Sequence, residues 1–179
     1  RAENGRVLCQ GRPADIPRLN LNLRCGARVL LCLGCFPARS FEELFEGCAA
    51  LPWEDFIPRE GRFPVKGYAV SSQLRSVPAC QSILKKALCK RLGQVYGLEI
   101  LPETGSLYQV QFSILKDQVT LMLDTSGDSL YKRGYRARNM GAPLRETLAA
   151  ALVSLSRYKG RDPFCDPFCG SGTIPIEAA

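Results

Sequence analysis

The run Asp166-Pro167-Phe168-Cys169-Gly170-Ser171-Gly172-Thr173, leading into Ile174-Pro175-Ile176-Glu177-Ala178-Ala179, constrains this chain more than any other stretch. An acidic residue, a Gly-x-Gly turn and residues able to open a helix make up the loop that follows the first strand of a mononucleotide-type α/β unit. Gly170 and Gly172 lack the Cβ atoms that would collide with a ligand lying against the backbone. Unpaired N–H groups at the helix start suit a carboxylate or another anion. Asp166, at the strand end, can accept a hydrogen bond from a cationic amine.

A ligand bearing both an amine and a carboxylate satisfies both ends of such a loop, and the methionine part of S-adenosylmethionine carries the two together. Two other loop chemistries fail on spacing. A Walker loop requires Lys before its Ser or Thr, whereas Gly172 and Thr173 are adjacent, and a dinucleotide fingerprint requires a third glycine where Pro175 stands. Asp166, Pro167, Phe168, Cys169, Gly170, Ser171, Gly172 and Thr173 are therefore the candidate cofactor-binding residues. Cys165 and Cys169 flank the loop and are expected to pack, not to act as nucleophiles.

The rest of the 179 residues has ordinary globular composition, 46% hydrophobic and 23% charged, enough for one domain or two small ones. No apolar run approaches the ~18 residues of a membrane span, and no signal-peptide pattern opens the chain. A soluble, cytoplasmic protein is expected. The nine cysteines lie mostly in apolar stretches (Cys9, Cys25, Cys32, Cys35, Cys48, Cys80, Cys89), as buried free thiols of a reducing compartment would. Cys32-Leu33-Gly34-Cys35 is a C-x-x-C, but the chain has no histidine to complete a zinc site, so no metal is expected and the pair is read as part of a strand or strand edge. The chain starts on Arg1 as though partway through a fold and leaves in the first turns of a predicted helix. It is expected to be a segment of a longer protein.

Between these ends the pattern is α+β. Asn4 to Cys9 reads as a turn entering a short strand, Asp15 to Cys25 as a short helix, and Ala27 to Phe36 as a buried strand closing a first unit. Ser40 caps a helix with Glu42 and Glu43 in its first turn, ending near Leu51-Pro52, and Trp53 is expected as a packing anchor. Phe63 to Ser71 reads as a strand. Pro78 to Tyr96 is the best helix, with Ser76 as cap and Cys80, Ile83, Leu84, Ala87, Leu88, Leu92 and Val95 at helical period. Tyr108 to Ile114 alternates strictly, and after the turn Lys116-Asp117 the residues Val119, Leu121 and Leu123 continue in a partner strand. Pro143 to Arg157 reads as a helix with Leu144, Leu148, Leu152 and Leu155 along one side, and Arg161 to Asp166 as the first strand of a new domain.

A net charge of +7 favours an acidic partner but is equally what solubility requires, so its distribution decides. Lys85, Lys86, Lys90 and Arg91 form the outer side of the long helix. Tyr131-Lys132-Arg133-Gly134-Tyr135-Arg136-Ala137-Arg138 interleaves four cations with two tyrosines, a mixture that can pair phosphates while tyrosine stacks on unpaired bases. The RNA-contact candidates are thus Lys85, Lys86, Lys90, Arg91, Lys132, Arg133, Tyr135, Arg136 and Arg138. The competing readings are a solvated helix face and a linker whose arginines join two domains.

Asp166 to Ala179 resembles the first cofactor motif of class I S-adenosylmethionine-dependent methyltransferases, in the branch that modifies exocyclic amines of bases. Leu123-Asp124-Thr125-Ser126-Gly127, Leu130 to Arg136, and Ala142 to Ala149 resemble the approach to that domain in THUMP-containing RNA methyltransferases, specifically the bacterial 23S rRNA guanine-N2 methyltransferase family (RlmL and YpsC type). The similarity extends to Asn4-Gly5-Arg6-Val7 and Ala50 to Asp55. It implies part of a ferredoxin-like unit at 1–38, an RNA-binding THUMP domain at 39–128, a basic linker at 129–142, and the start of a Rossmann-like α/β methyltransferase domain at 143–179. It also implies S-adenosylmethionine as cofactor, structured RNA as partner, and attack of guanine N2 on the sulfonium methyl after base extrusion. The family's Asn/Asp-Pro-Pro-Tyr catalytic motif has no counterpart in these residues, so methyl transfer by this segment alone is not expected. A stand-alone RNA-binding module and part of a DNA amino-methyltransferase are the alternatives.

Overall fold

The computed structural model describes residues 2, 3, 5–135 and 143–179. Arg136 and Arg138, both named above as RNA contacts, lie outside them. In chain order the elements are β1 (Ala2–Glu3), β2 (Arg6–Val7), α1 (Asp15–Asn22), β3 (Leu30–Pro37), α2 (Phe41–Ala49), a 3₁₀ turn (Trp53–Asp55), β4 (Val65–Val70), α3 (Val77–Tyr96), β5 (Val110–Leu115), β6 (Gln118–Asp124), α4 (Glu146–Leu155) and α5 (Thr173–Ala178). They divide into a central unit, Leu30–Asp124, and an outer unit formed by Arg1–Val29 with Thr125–Ala179.

The central unit is a mixed four-stranded sheet in the order β3-β6-β5-β4, with β4 parallel to β5 and the other pairs antiparallel. Alternation along β5 and β6 puts Val110, Phe112, Ile114, Val119 and Leu121 into the core. The turn between these strands takes left-handed φ at Lys116 (50°) and Asp117 (61°), as a two-residue hairpin requires. α3 buries Cys80, Leu84, Ala87, Leu88 and Leu92 of the stripe its period predicts, while Ile83 is only partly buried and Val95, in the helix's last turn, is exposed, a correction to the expected stripe. Ser76 accepts a hydrogen bond from Ala79 N at 3.4 Å, and Gly97 ends the helix in the left-handed conformation. Ser40 caps α2 through Glu43 N at 3.1 Å. Trp53 is fully buried and donates from Nε1 to Cys48 O at 2.7 Å, an anchor as expected.

Three expectations are corrected here. Leu30–Pro37 pairs with β6, so it belongs to the central sheet and does not close the first unit. It is an edge strand, only partly buried, and a bulge between Cys32 and Gly34 turns both Cys32 and Cys35 outward to exposed positions. None of the nine cysteines is in a disulfide, but Cys9, Cys25, Cys32, Cys35, Cys165 and Cys169 are exposed, and only Cys48 and Cys80 are buried. Local apolarity marked these stretches; position at an edge or in a loop decided exposure. Burial pushes the Cys48 thiol up to about 12, outside the reactive range.

In the outer unit β1 and β2 form a tight antiparallel hairpin with Gly5 at φ 78°. α1 has no buried residue; its Asn20 bonds Thr125 Oγ1 at 3.2 Å and accepts from Ser126 Oγ at 2.6 Å. Val29 N donates to the same Ser126 hydroxyl at 2.7 Å, and Arg28 Nη1 to Gly127 O at 2.6 Å. Two further corrections fall in this unit. α4 buries Glu146, Thr147, Ala149, Ala150 and Val153, while Leu148, Leu152 and Leu155 of the expected leucine side are exposed. Arg161 to Asp166 is irregular and not a strand: Pro163 cannot donate to a ladder, and no described strand pairs with the segment. Among the described residues no helix is long and apolar enough to cross a membrane, and no group of three or more ligands could hold a metal ion.

Candidate functional site

The terminal loop is built from local hydrogen bonds. Asp166 Oδ1 accepts Phe168 N at 3.1 Å, and Gly172 N donates to Cys169 O at 2.7 Å, closing a tight turn. Gly170 and Gly172 both lie in the left-handed region, at φ 52° and 74°. A Cβ at either would meet nothing nearer than 3.8 Å, an ordinary contact distance, so backbone conformation and not crowding demands glycine. Ser171 and Thr173 hydroxyls lie 3.0 Å apart, and Thr173 is buried as α5 begins. Phe168 is 93% exposed. Cys165 and Cys169 are exposed too, correcting their expected packing role.

Glu177, only 2% exposed, organises the surroundings of this loop. Its Oε2 accepts Arg133 Nη1 at 2.8 Å and Arg24 Nη2 at 3.2 Å, and its Oε1 accepts the Tyr135 hydroxyl at 2.9 Å. Arg24 also donates to the Glu177 carbonyl, and Arg133 to the Arg24 carbonyl. Burial, then the hydrogen bond to the Glu177 carboxylate, push the Tyr135 phenol up to about 12. Sequence reasoning named Arg133 and Tyr135 but missed Arg24 and Glu177. The available signal was a lone carboxylate within Thr173-Ile174-Pro175-Ile176-Glu177-Ala178-Ala179, four residues after Thr173 and so on the same helix face.

The cations of α3 separate into two classes. Lys85 bonds Glu103 Oε1 at 2.6 Å and Phe63 O at 3.2 Å, with its ammonium 3.5 Å from the Phe63 ring centre. Arg91 grips both carboxylate oxygens of Glu54, and this hydrogen bonding holds the Glu54 carboxyl below its usual range. Lys86 and Lys90 are exposed; Lys90 lies 5.1 Å from the Phe45 ring centre. With Gln94 they line a shallow depression of about 530 Å³ that also includes Glu99. In the outer unit Lys132 is exposed, with Asp128 at 3.4 Å.

Three protein families match this chain in sequence: the RlmL ferredoxin-like domain over residues 1–30, the THUMP domain over 38–124, and the RMKL-like methyltransferase domain (UPF0020) over 133–179. The Bacillus subtilis protein YpsC, named as an RNA methyltransferase, is 49% identical over 100% of this chain and 47% of its own length. A ribosomal RNA large subunit methyltransferase K/L from Colwellia psychrerythraea is 34% identical over 90% of this chain and 23% of its own. A crystal structure described as that of a predicted N6-adenine-specific DNA methylase from Listeria monocytogenes superposes with a TM-score of 0.89 at 53% identity, covering 94% of this chain and 44% of that one. A methyltransferase structure complexed with SAH gives 0.83 at 47% identity, covering 89% and 42%. The chain thus spans about half or less of the length of these relatives.

Proposed function

We propose that the chain belongs to the THUMP-containing RNA methyltransferases whose domains it matches, and that it is the RNA-recognising part of an S-adenosylmethionine-dependent rRNA guanine-N2 methyltransferase of the cytoplasm, acting on 23S rRNA. The observation that carries this reading is the loop after Asp166. Nothing crowds the Cβ directions of its two left-handed glycines, and Asp166 Oδ2 takes no hydrogen bond from the described residues. These features fit the amine and carboxylate of the cofactor's methionine part, with Asp166 on the amine and the backbone from Gly170 to Thr173 beside the carboxylate. When bound, that cofactor supplies the electrophilic methyl group. The chain's own contribution is to hold it and to present RNA.

RNA is met by cations that are not engaged inside the fold. Lys86 and Lys90 on α3 remain exposed, and Lys132 on the linker is exposed with the exposed Asp128 beside it, whereas Lys85, Arg91 and Arg133 are held by less exposed carboxylates. The segment by itself transfers no methyl group, because nothing in it corresponds to the family's Asn/Asp-Pro-Pro-Tyr motif. The description of the Listeria structure as a DNA methylase favours a second reading, a DNA amino-methyltransferase.

Competition between structured RNA and duplex DNA decides between the two: RNA displaced by equimolar duplex DNA would overturn the first. Replacing Lys86 and Lys90 with Gln should weaken RNA binding and lower the slope of log affinity against log salt by about 0.7 to 0.9 per lost phosphate contact. An unchanged slope removes these lysines from the interface.

A further inference from the structure

We propose that Glu177 is a positioning residue for the cofactor loop, setting the loop's register through α5. The proposal rests on the reading of Asp166 to Thr173 as that loop. Gly172, the last residue of the turn, is the N-cap of α5, and Ile176 N bonds Gly172 O at 3.0 Å. Whatever fixes α5 therefore fixes the turn.

The buried residues of α5 are polar. Thr173 and Glu177 are buried, while Ile176 is 46% exposed. A six-residue helix cannot stand by propensity alone. Although α5 also packs with α4, its specific anchor is the Glu177 carboxylate. Three donors, from Arg24, Arg133 and Tyr135, converge on its two oxygens. They come from segments 153, 44 and 42 residues away in sequence, and Arg133 is tied in turn to the Arg24 carbonyl. A carboxylate with this many charge-assisted bonds has one orientation, and a buried carboxylate without them is costly. The cluster thus turns the N-terminal region and the linker into a clamp on the cofactor turn. Arg133 and Tyr135 act through Glu177 and not by touching RNA.

The test uses the full-length protein that contains this chain and two variants, Glu177→Gln, which keeps shape and loses charge, and Tyr135→Phe, which removes one hydrogen bond and leaves folding intact. Affinity for S-adenosylhomocysteine and KM for S-adenosylmethionine should worsen about tenfold in Glu177→Gln and about threefold in Tyr135→Phe, with RNA affinity within twofold of wild type. Cofactor and RNA affinities that both stay unchanged, or that fall together, overturn the proposal; if Glu177→Gln does not fold, Tyr135→Phe alone decides. Wild-type protein that binds no S-adenosylhomocysteine would refute the cofactor reading instead. In that event amide exchange over residues 166–173 decides the positioning role: faster exchange in Tyr135→Phe supports it, and an unchanged rate overturns it.

Discussion

The central and outer units are held together by different physics. In the central unit Trp53, Phe63, Phe112 and the leucines of α3 are fully buried between sheet and helices, and polar contacts decorate a core that hydrophobic burial already supports. In the outer unit α1 buries nothing, three leucines of α4 face outward, and the recurrent ties are hydrogen bonds and ion pairs, around Asn20 with Ser126 and around Glu177. Apolar packing tolerates local change by repacking, whereas a buried charge cluster fails when one partner is lost. The unit with the larger core is the one matched to the THUMP domain; the unit with the polar clamp carries the loop proposed to hold the cofactor.

That contrast breaks first where burial is deepest. Phe112→Ala should cost about 3 to 5 kcal/mol, because the fully buried ring leaves a cavity in the core of the central unit. Amide exchange should rise across residues 30–124 while protection at α5 is retained. Loss of protection at both would mean that the two units unfold as one. Glu177→Ala is the mirror experiment. Leaving the largely buried Arg133 guanidinium without its carboxylate should cost about 3 kcal/mol, read as loss of protection in α5 and the loop before it, with the central unit unchanged by denaturant titration.

The same division explains what could be read without coordinates. The helix α3, its cap and stop, and the hairpin β5–β6 are written in period and punctuation over a few residues, so local pattern sufficed. Ser40, Trp53 and the glycine turn were legible for the same reason. The pairing of β3 with β6 was not, since Leu30 meets Asp124 across about half of the chain and nothing local names the partner. The outward thiols of Cys32 and Cys35 follow from that pairing and its bulge. Likewise a run of cations reads identically whether each is solvated or already owned by a distant carboxylate. Lys85 with Glu103, Arg91 with Glu54 and Arg133 with Glu177 are tertiary facts.

Proton dependence sharpens the role of such pairs within the central unit. The Glu54 carboxyl is held below its ordinary 4.5 chiefly by the Arg91 hydrogen bond, so it binds its proton less readily folded than unfolded. Its contribution is therefore complete above that value and is lost as pH falls through the lower folded value. Urea midpoints measured from pH 6 downward should decline less steeply in Arg91→Gln than in wild type. Parallel curves would show the pair to be energetically idle, as exposed pairs often are.

The smallest effect is expected where the sequence looked most like core. Leu152 lies on the leucine side of α4 but is 43% exposed, and the buried face of that helix is Thr147, Ala149, Ala150 and Val153. Leu152→Gln removes little apolar contact and keeps a good helix former, so the stability of this chain should move by no more than about 0.5 kcal/mol. Val153→Gln, one position along, places an amide in a site that is 7% exposed and should cost several times as much. If the two substitutions instead cost the same, the outer unit buries the leucine side as well. The contrast between an apolar central unit and a polar-clamped outer one would then fail at α4.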